Sequence, residues 1–287
     1  MAHRLFAPFM KLPPLIHHED GFNEDEAERL KSKRNLFRQV ALARASALVV
    51  PSRTLEEVAL GAWAQPSHRI RRIANGIDVA AYAVPPSADA IPGFVKREDE
   101  VVIGTLAGLR AVKNLPRQVR AVAPLGESVR MVIVGEGPER EAIHAQARAL
   151  GIEDRVFMPG FLPNPSSYVG LFDIFALSSV SEQFPISLIE AMAAGLPVVS
   201  TDVGDVRNMV SAENRGFIIS DEDEGRFGAM LSRMTGDESL RQTLGQANRA
   251  KAVAEYGEAD MLARYSALYE QAMGRPGALS GLEKRQR

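Results

Sequence analysis

Cysteine is absent from all 287 residues, which excludes disulfides, thiol nucleophiles and Cys-based zinc sites. Histidine is scarce, with five scattered copies, and that leaves little for a His-rich metal site. Neither sign of charge dominates, since 34 Lys and Arg stand against 36 Asp and Glu. A net charge of -2 gives no bulk attraction to nucleic acid, and no nucleic-acid partner is expected. Long apolar runs are missing too. The weakly charged stretch 161–180 is broken by Pro163, Pro165 and Asp173 and cannot span a bilayer. Residues 5–10 are too few and too Pro-interrupted for a signal peptide. A soluble, cytoplasmic-type protein is expected. What remains is 46% hydrophobic and 24% charged, an ordinary globular composition, and the length suits about two domains.

Residues 1–75 hold too little for an independent core. A short strand from Leu12 to His18 has no upstream segment to pair with, a helix is expected over 24–44, and a strand at 47–50 closes on Pro51 and Ser52. The chain therefore reads as opening inside a domain, with 1–75 a partial one. Asn75-Gly76-Ile77-Asp78 carries turn chemistry and 85–92 is rich in Pro and Ala, so 76–99 reads as a linker.

From residue 100 the rhythm is regular. Apolar runs at 101–103, 131–134, 156–157, 172–177, 198–199 and 217–219 alternate with helical stretches at 115–122, 139–150, 186–194 and 206–210. That alternation predicts a parallel sheet covered by helices on both faces, α/β in class, over 100–258. Gly151 and Gly195 stand where helices end. The tail is mostly helical from 222 to 273, with 259–287 a C-terminal helix and a frayed end.

In such a sheet the ligand sits beyond the carboxyl ends of the strands, where the strand order reverses. Gly104 to Asn114, with Gly108, Arg110 and Lys113, follows the first strand, and Gly135-Glu136-Gly137-Pro138 follows the second. Two cations at a strand-to-helix turn are placed for a diphosphate, or are solvated loop charges. Gly135 and Gly137 serve either a phosphate approach or a tight turn into a helix begun by Pro138. The third glycine of a dinucleotide fingerprint is missing, which disfavours a nicotinamide dehydrogenase.

The stronger constellation is Ser181-Glu182-Gln183-Phe184-Pro185-Ile186, then Glu190 and Gly195-Leu196-Pro197. Pro185 suits the first turn of a helix, so Glu182 precedes it and Glu190 lies inside it. Eight residues at helical rise separate the two acids by roughly 12 Å. That exceeds the roughly 5 Å of a retaining glycosidase's pair and suits acceptors at opposite ends of an elongated polyol. The bland alternative is a helix-capping acid and a solvated one.

These residues resemble the retaining glycosyltransferases of family four. Glu182 and Glu190 with Phe184 between them, Lys113-Asn114, Gly135 to Pro138, Thr201-Asp202-Val203-Gly204, Pro51-Ser52 and Asn75 to Asp78 carry the likeness, which runs from about residue 12 to 273. The resemblance implies a GT-B architecture: a complete C-terminal Rossmann-like domain and a partial N-terminal one, shortened at the amino end. It implies a nucleoside diphosphate sugar donor, no catalytic metal, no cofactor, and transfer with retention to a glycan or lipid-linked acceptor. It places Glu182 on the donor sugar and Glu190 on the ribose, with the backbone at Phe184, Pro185 and Ile186 approaching sugar and phosphates. His17 matches a loop histidine near the donor sugar, with His18 its neighbour and rival. Family members often carry Arg where Gly108 stands, and Arg110 is the candidate to replace it. The competing expectation is a non-catalytic or partner-dependent nucleotide-sugar-binding remnant.

A basic stretch holds Arg29, Lys31, Lys33, Arg34, Arg38 and Arg44. With Leu30, Phe37, Val40 and Ala41 inward and Lys31, Arg34 and Arg38 outward, it would rest on anionic lipid or simply be solvated. Peripheral membrane contact and self-association through the incomplete domain are the remaining partner expectations.

Overall fold

In the computed structural model the described residues are 13–22, 26, 31–220 and 223–279. They form two units, one from 1–76 and 258–287, the other from 77–257.

The first unit is built on three parallel strands in the order β1 (Ile16–His18), β2 (Ala47–Val50), β3 (Ile70–Arg72). The partner that β1 lacked upstream is β2 downstream, with Ile16 opposite Ala47, while Leu12 lies outside the described residues. Alternation along β2 divides the core. Leu48 and Val50 meet Trp63 and, from helix α2 (Arg53–Leu60), Leu55 and Ala59 on one face, whereas Ala47 and Val49 meet Ile73 and Leu268 on the other. Leu268 comes from the last helix, Glu258–Met273, which His18 also engages by stacking on Tyr265 and bonding Tyr269 Oη at 3.0 Å.

Helix α1 (Ser32–Leu42) corrects the expected orientation of the basic stretch. Leu36, Phe37 and Val40 are exposed, while Arg34 and Arg38 turn to the fully buried carboxylate of Glu26. The physical reason is that a buried carboxylate requires cations more strongly than an exposed phenylalanine requires cover. Arg29 and Leu30 lie outside the described residues.

The second unit carries six parallel strands: β4 (Val101–Leu106), β5 (Val129–Val134), β6 (Val156–Gly160), β7 (Ile174–Leu177), β8 (Val198–Thr201) and β9 (Ile218–Ile219). Their spatial order is β6-β5-β4-β7-β8-β9, so the chain reverses direction of winding between β4 and β7. Both faces are buried, as continuous Val and Ile runs require. Val102, Val132, Val134, Phe175 and Val198 pack on one side, and Ile103, Met131, Ile133, Ile174 and Val199 on the other. The intervening helices include α3 (Leu115–Val122), α4 (Arg140–Ala149) and α5 (Ile186–Ala193), close to their expected spans. Gly151 and Gly195 hold positive φ beyond α4 and α5, as helix-ending glycines do. Ile91 and Phe94, from the Pro- and Ala-rich stretch and just beyond it, are buried against this core, Phe94 meeting Phe157 at 5.5 Å between centroids.

Candidate functional site

The reversal between β4 and β7 opens the carboxyl edge of the sheet at the place where ligands of doubly wound folds lie. After β4 the chain makes a short turn at Ala111–Lys113, and Asn114 then takes a left-handed conformation at φ 45° before α3 begins. Asparagine tolerates that region better than most residues. The turn is held from across the gap. Ser178, just past β7, shares its hydroxyl hydrogen between Lys113 O at 2.9 Å and Asn114 O at 3.0 Å, and the buried Gln118 amide donates to Ser178 Oγ at 3.0 Å.

So fixed, Lys113 Nζ reaches Glu182 Oε1 at 2.5 Å, and Ser179 Oγ donates to the same oxygen at 2.7 Å. The pair is 18% and 11% exposed, enough for a ligand to reach and too little for water to screen fully. The end of β8 and the loop after it buttress Glu182. Thr201 Oγ1 donates to Ser179 O at 2.6 Å, Asp205 N donates to Gln183 O at 3.1 Å, and Gly204 passes so close that a Cβ would lie 2.4 Å from Glu182 O.

Pro185 is the N-cap of α5 rather than a first-turn residue, and no side chain caps this end. Amides at an uncapped helix start are available to an anion. Ser187 of the first turn lines the narrow pocket that also holds Lys113, Glu182, Ser178 and Ser179.

Leu106 and Ala107 separate that pocket from an open crevice of about 470 Å³, lined by Gly108, Gly135, Phe161, Leu162, Pro165, Tyr168 and Glu190. Glu190 is flanked by two tyrosines. Tyr82 is one of them, and burial first, with the nearby Glu190 carboxylate second, pushes the phenol of the other, Tyr168, up to a pKa of about 12, its hydroxyl bonding Leu162 O at 3.3 Å. Burial pushes the Glu190 carboxyl upward, and Tyr82 offsets this only in part.

The expected site residues therefore gather in two adjoining places. Lys113 meets Glu182 in the pocket, while Gly108, Gly135 and Glu190 share the crevice. Gly135 and Gly137 also have a purely local reason to be glycine. A Cβ would lie 1.8 Å from Ala107 O at the first and 2.4 Å from Leu109 O at the second, because the two loops run against each other. Arg110 lines neither space, and its Nε lies 3.7 Å from where a Cβ on Gly108 would be. Phe184 turns its ring to Tyr256, 5.8 Å between centroids, and Ile186 is exposed. In the first unit, His18 is committed to Tyr265 and Tyr269, whereas His17 Nε2 lies 3.5 Å from Glu19 Oε2.

Phe161, Tyr168 and Tyr82 escaped the sequence reading. Phe161 directly follows a strand and looks like core, yet it is 72% exposed on the crevice lip. A glycine before it, ending a strand at the binding edge, was the available signal. Among the described residues no three His, Asp or Glu side chains converge as a metal site, and no helix is long and apolar enough to cross a membrane.

The fold that carries this candidate site is α/β and GT-B-like. Residues 88–251 match the family model "Glycosyl transferases group 1", and the chain belongs to that family. It is 26% identical over 207 residues to N-acetyl-alpha-D-glucosaminyl L-malate synthase of Bacillus anthracis, covering 71% of this chain and 54% of that protein. It is 31% identical over 158 residues to the Campylobacter jejuni N-acetylgalactosamine-N,N'-diacetylbacillosaminyl-diphospho-undecaprenol 4-alpha-N-acetylgalactosaminyltransferase, covering 55% and 43%. The chain thus spans about half the length of the curated relatives it matches. Among solved structures, Anabaena HepE in complex with UDP superposes with a TM-score of 0.79 at 20% identity, over 90% of this chain and 72% of that one. Sucrose-phosphate synthase from Thermosynechococcus elongatus does so with 0.78 at 22% identity, over 90% and 68%.

Proposed function

We propose that the protein transfers a sugar from a nucleoside diphosphate sugar to a glycan or lipid-linked acceptor, with retention at the anomeric carbon. The observation that carries this reading is the pairing of Lys113 with Glu182 in a pocket adjoining the crevice of Glu190. The reading also has support in HepE, solved with UDP and with UDP-glucose, and in the Campylobacter relative, named for a lipid-linked substrate.

The donor's diphosphate takes the place of Glu182 on Lys113 and draws on the amides at the start of α5, so the negative charge that develops on the leaving group meets fixed positive ends. Glu182, released, accepts hydroxyls of the donor sugar. Glu190 accepts the ribose diol, and the apolar lip of Phe161, Leu162 and Pro165 receives the base. Retention follows if the acceptor attacks from the face that the phosphate leaves, with the phosphate taking its proton. His17 is assigned to the sugar side on the family resemblance alone, and Arg110 to the diphosphate on the same ground. Lys113 and the helix amides supply the positive charge in this scheme, so transfer should be unchanged by EDTA. The peripheral membrane contact loses its main motive, because Arg34 and Arg38 are committed to Glu26.

A melting screen with UDP-, GDP- and ADP-sugars tests the reading. One nucleotide class should raise the melting temperature, and the anomeric proton of the product should keep the donor's configuration. No shift with any of the three would overturn it. Binding with donor consumption no faster than in Glu190→Ala would favour the non-catalytic remnant.

Glu190 itself should trade stability against binding. Its raised folded pKa means that its stabilising contribution is present below the ordinary carboxyl value and is lost as pH rises through the folded value. Glu190→Gln should therefore melt a few degrees higher near neutral pH, lose that advantage in acid, and bind nucleotide about 10- to 100-fold more weakly. Calorimetric melts across pH, beside titration with nucleotide, would check both halves.

A further inference from the structure

The turn that carries Lys113 is gripped from outside. Asn114, left-handed at φ 45°, gives α3 no side-chain cap. Val180 N donates to Val112 O at 2.9 Å, and the Ser178 hydroxyl donates to the carbonyls of Lys113 and Asn114. Behind Ser178 stands Gln118, on the helix that follows the turn and wholly buried. Its Nε2 donates to Ser178 Oγ at 3.0 Å and to Ala176 O, in β7, at 3.3 Å. A carbonyl only accepts, so Ala176 decides which end of the amide faces it. The Gln118 oxygen is then closed off from solvent and has no hydrogen-bond partner among the described residues. A stranded oxygen costs stability, and methionine would fill nearly the same volume without one. The glutamine is therefore explained by what its nitrogen holds.

We propose that Gln118 is a positioning residue of the transfer reaction: through Ser178 it fixes the backbone under Lys113, so that the ammonium meets the donor's diphosphate where charge develops. The proposal rests on the reading of Lys113 as the diphosphate's cation. The segment 178–182 holds Lys113 at both ends, its backbone through Ser178 and Val180 and its ammonium through Glu182. A donor that displaces Glu182 releases the second grip only. The first must then place a long, flexible side chain alone. Ground-state binding tolerates a displaced ammonium, because the attraction between charges falls gradually with distance. Stabilising the charge that develops on the leaving oxygen does not, since it depends on fixed geometry and a shift of about 1 Å can cost about 100-fold. Loss of the Gln118 nitrogen should therefore appear in turnover and not in affinity.

The test measures donor consumption and, by calorimetry, affinity for whichever of UDP, GDP and ADP binds. It compares wild type with Gln118→Met, Ser178→Ala, their double variant and Lys113→Ala. Gln118→Met should lower kcat about 10-fold or more while Kd stays within about threefold of wild type. Its melting temperature should stay within about 5 °C, because the stranded oxygen goes together with the hydrogen bonds. Ser178→Ala should act in the same way, and the double variant should be no slower than the slower single one, as links of one relay are. With Lys113→Ala slow, any of four results overturns the role of Gln118 and leaves Lys113 standing: wild-type turnover in Gln118→Met, affinity lost in step with turnover, a melting temperature that drops well beyond that margin, or losses that multiply in the double variant. A wild-type chain that consumes donor no faster than Lys113→Ala overturns the reading of Lys113 instead, and this proposal with it.

Discussion

Lys113→Ala should lower the rate of sugar transfer by about 10²- to 10³-fold, the usual consequence of deleting one fixed electrostatic partner of a developing charge. The argument begins with the ligand-free pair. Lys113 Nζ and Glu182 Oε1 are 2.5 Å apart and largely enclosed, so each neutralises the other until a ligand arrives. A diphosphate offers the lysine more negative charge than one carboxylate does, and the exchange frees Glu182 for hydroxyls. Without the lysine, the donor must bring its phosphates beside an uncompensated carboxylate that Ser179 still holds in place. The single substitution therefore deletes an attraction and exposes a repulsion. The double variant Lys113→Ala, Glu182→Gln should consequently bind nucleotide more tightly than Lys113→Ala alone, a coupling that two independent sites would not show. Turnover of Lys113→Ala within a few-fold of wild type would remove this lysine from the mechanism.

Much of this candidate site was legible because its polar segments coincide with strong local signals. The runs at Val101, Met131 and Val198 alternate between two buried faces, and period two places the polar segments after them on one edge. Glu182 and Glu190 were visible because Pro185 and Gly195 bracket the helix between them. What stayed hidden depends on contacts between segments distant in sequence. The strand Ile70–Arg72 has one buried apolar residue in three and exists because Val50 and Leu48 lie beside it. The inward turn of Arg38 is dictated by Glu26, twelve residues earlier in a different element, and hydrophobic patterning along α1 alone points the other way. Gly135 and Gly137 answer first to the neighbouring Ala107 and Leu109 backbone. Tyr82 packs against the core of the second unit from a short turn far upstream of α5, and no spacing rule places it there.

That inward-turned cluster carries the second large expectation, on stability. Glu26→Ala should destabilise the first unit by about 3–5 kcal/mol, the cost of stranding buried or half-buried cations. The Glu26 carboxylate accepts from Arg34 Nη1 at 3.0 Å, from Arg38 Nη1 and Nη2 at 3.1 Å each, and from Lys31 N at 3.2 Å. Arg38 in turn lies 5.1 Å over the Trp63 ring and 5.6 Å over Phe22, so its charge is shared with two aromatic faces. Burial alone would push the Glu26 carboxyl upward, but these hydrogen bonds outweigh it and bring the group down to about 2. The folded unit thus keeps the proton off where the unfolded chain takes it up. The stabilisation is present above the ordinary value of 4.5 and is lost as pH falls from there toward 2. Trp63 is the sole tryptophan of the chain, fully buried and bonded through Nε1 to Asn35 Oδ1 at 3.1 Å, so its emission reports this unit and not 77–257. In an acid titration the tryptophan signal should change within that window, before the far-ultraviolet dichroism of the larger unit is lost. Glu26→Gln, which cannot titrate, should flatten the tryptophan transition there. A Glu26→Ala protein whose tryptophan-monitored melting point stays within a few degrees of wild type would show that Arg34 and Arg38 do not depend on this carboxylate.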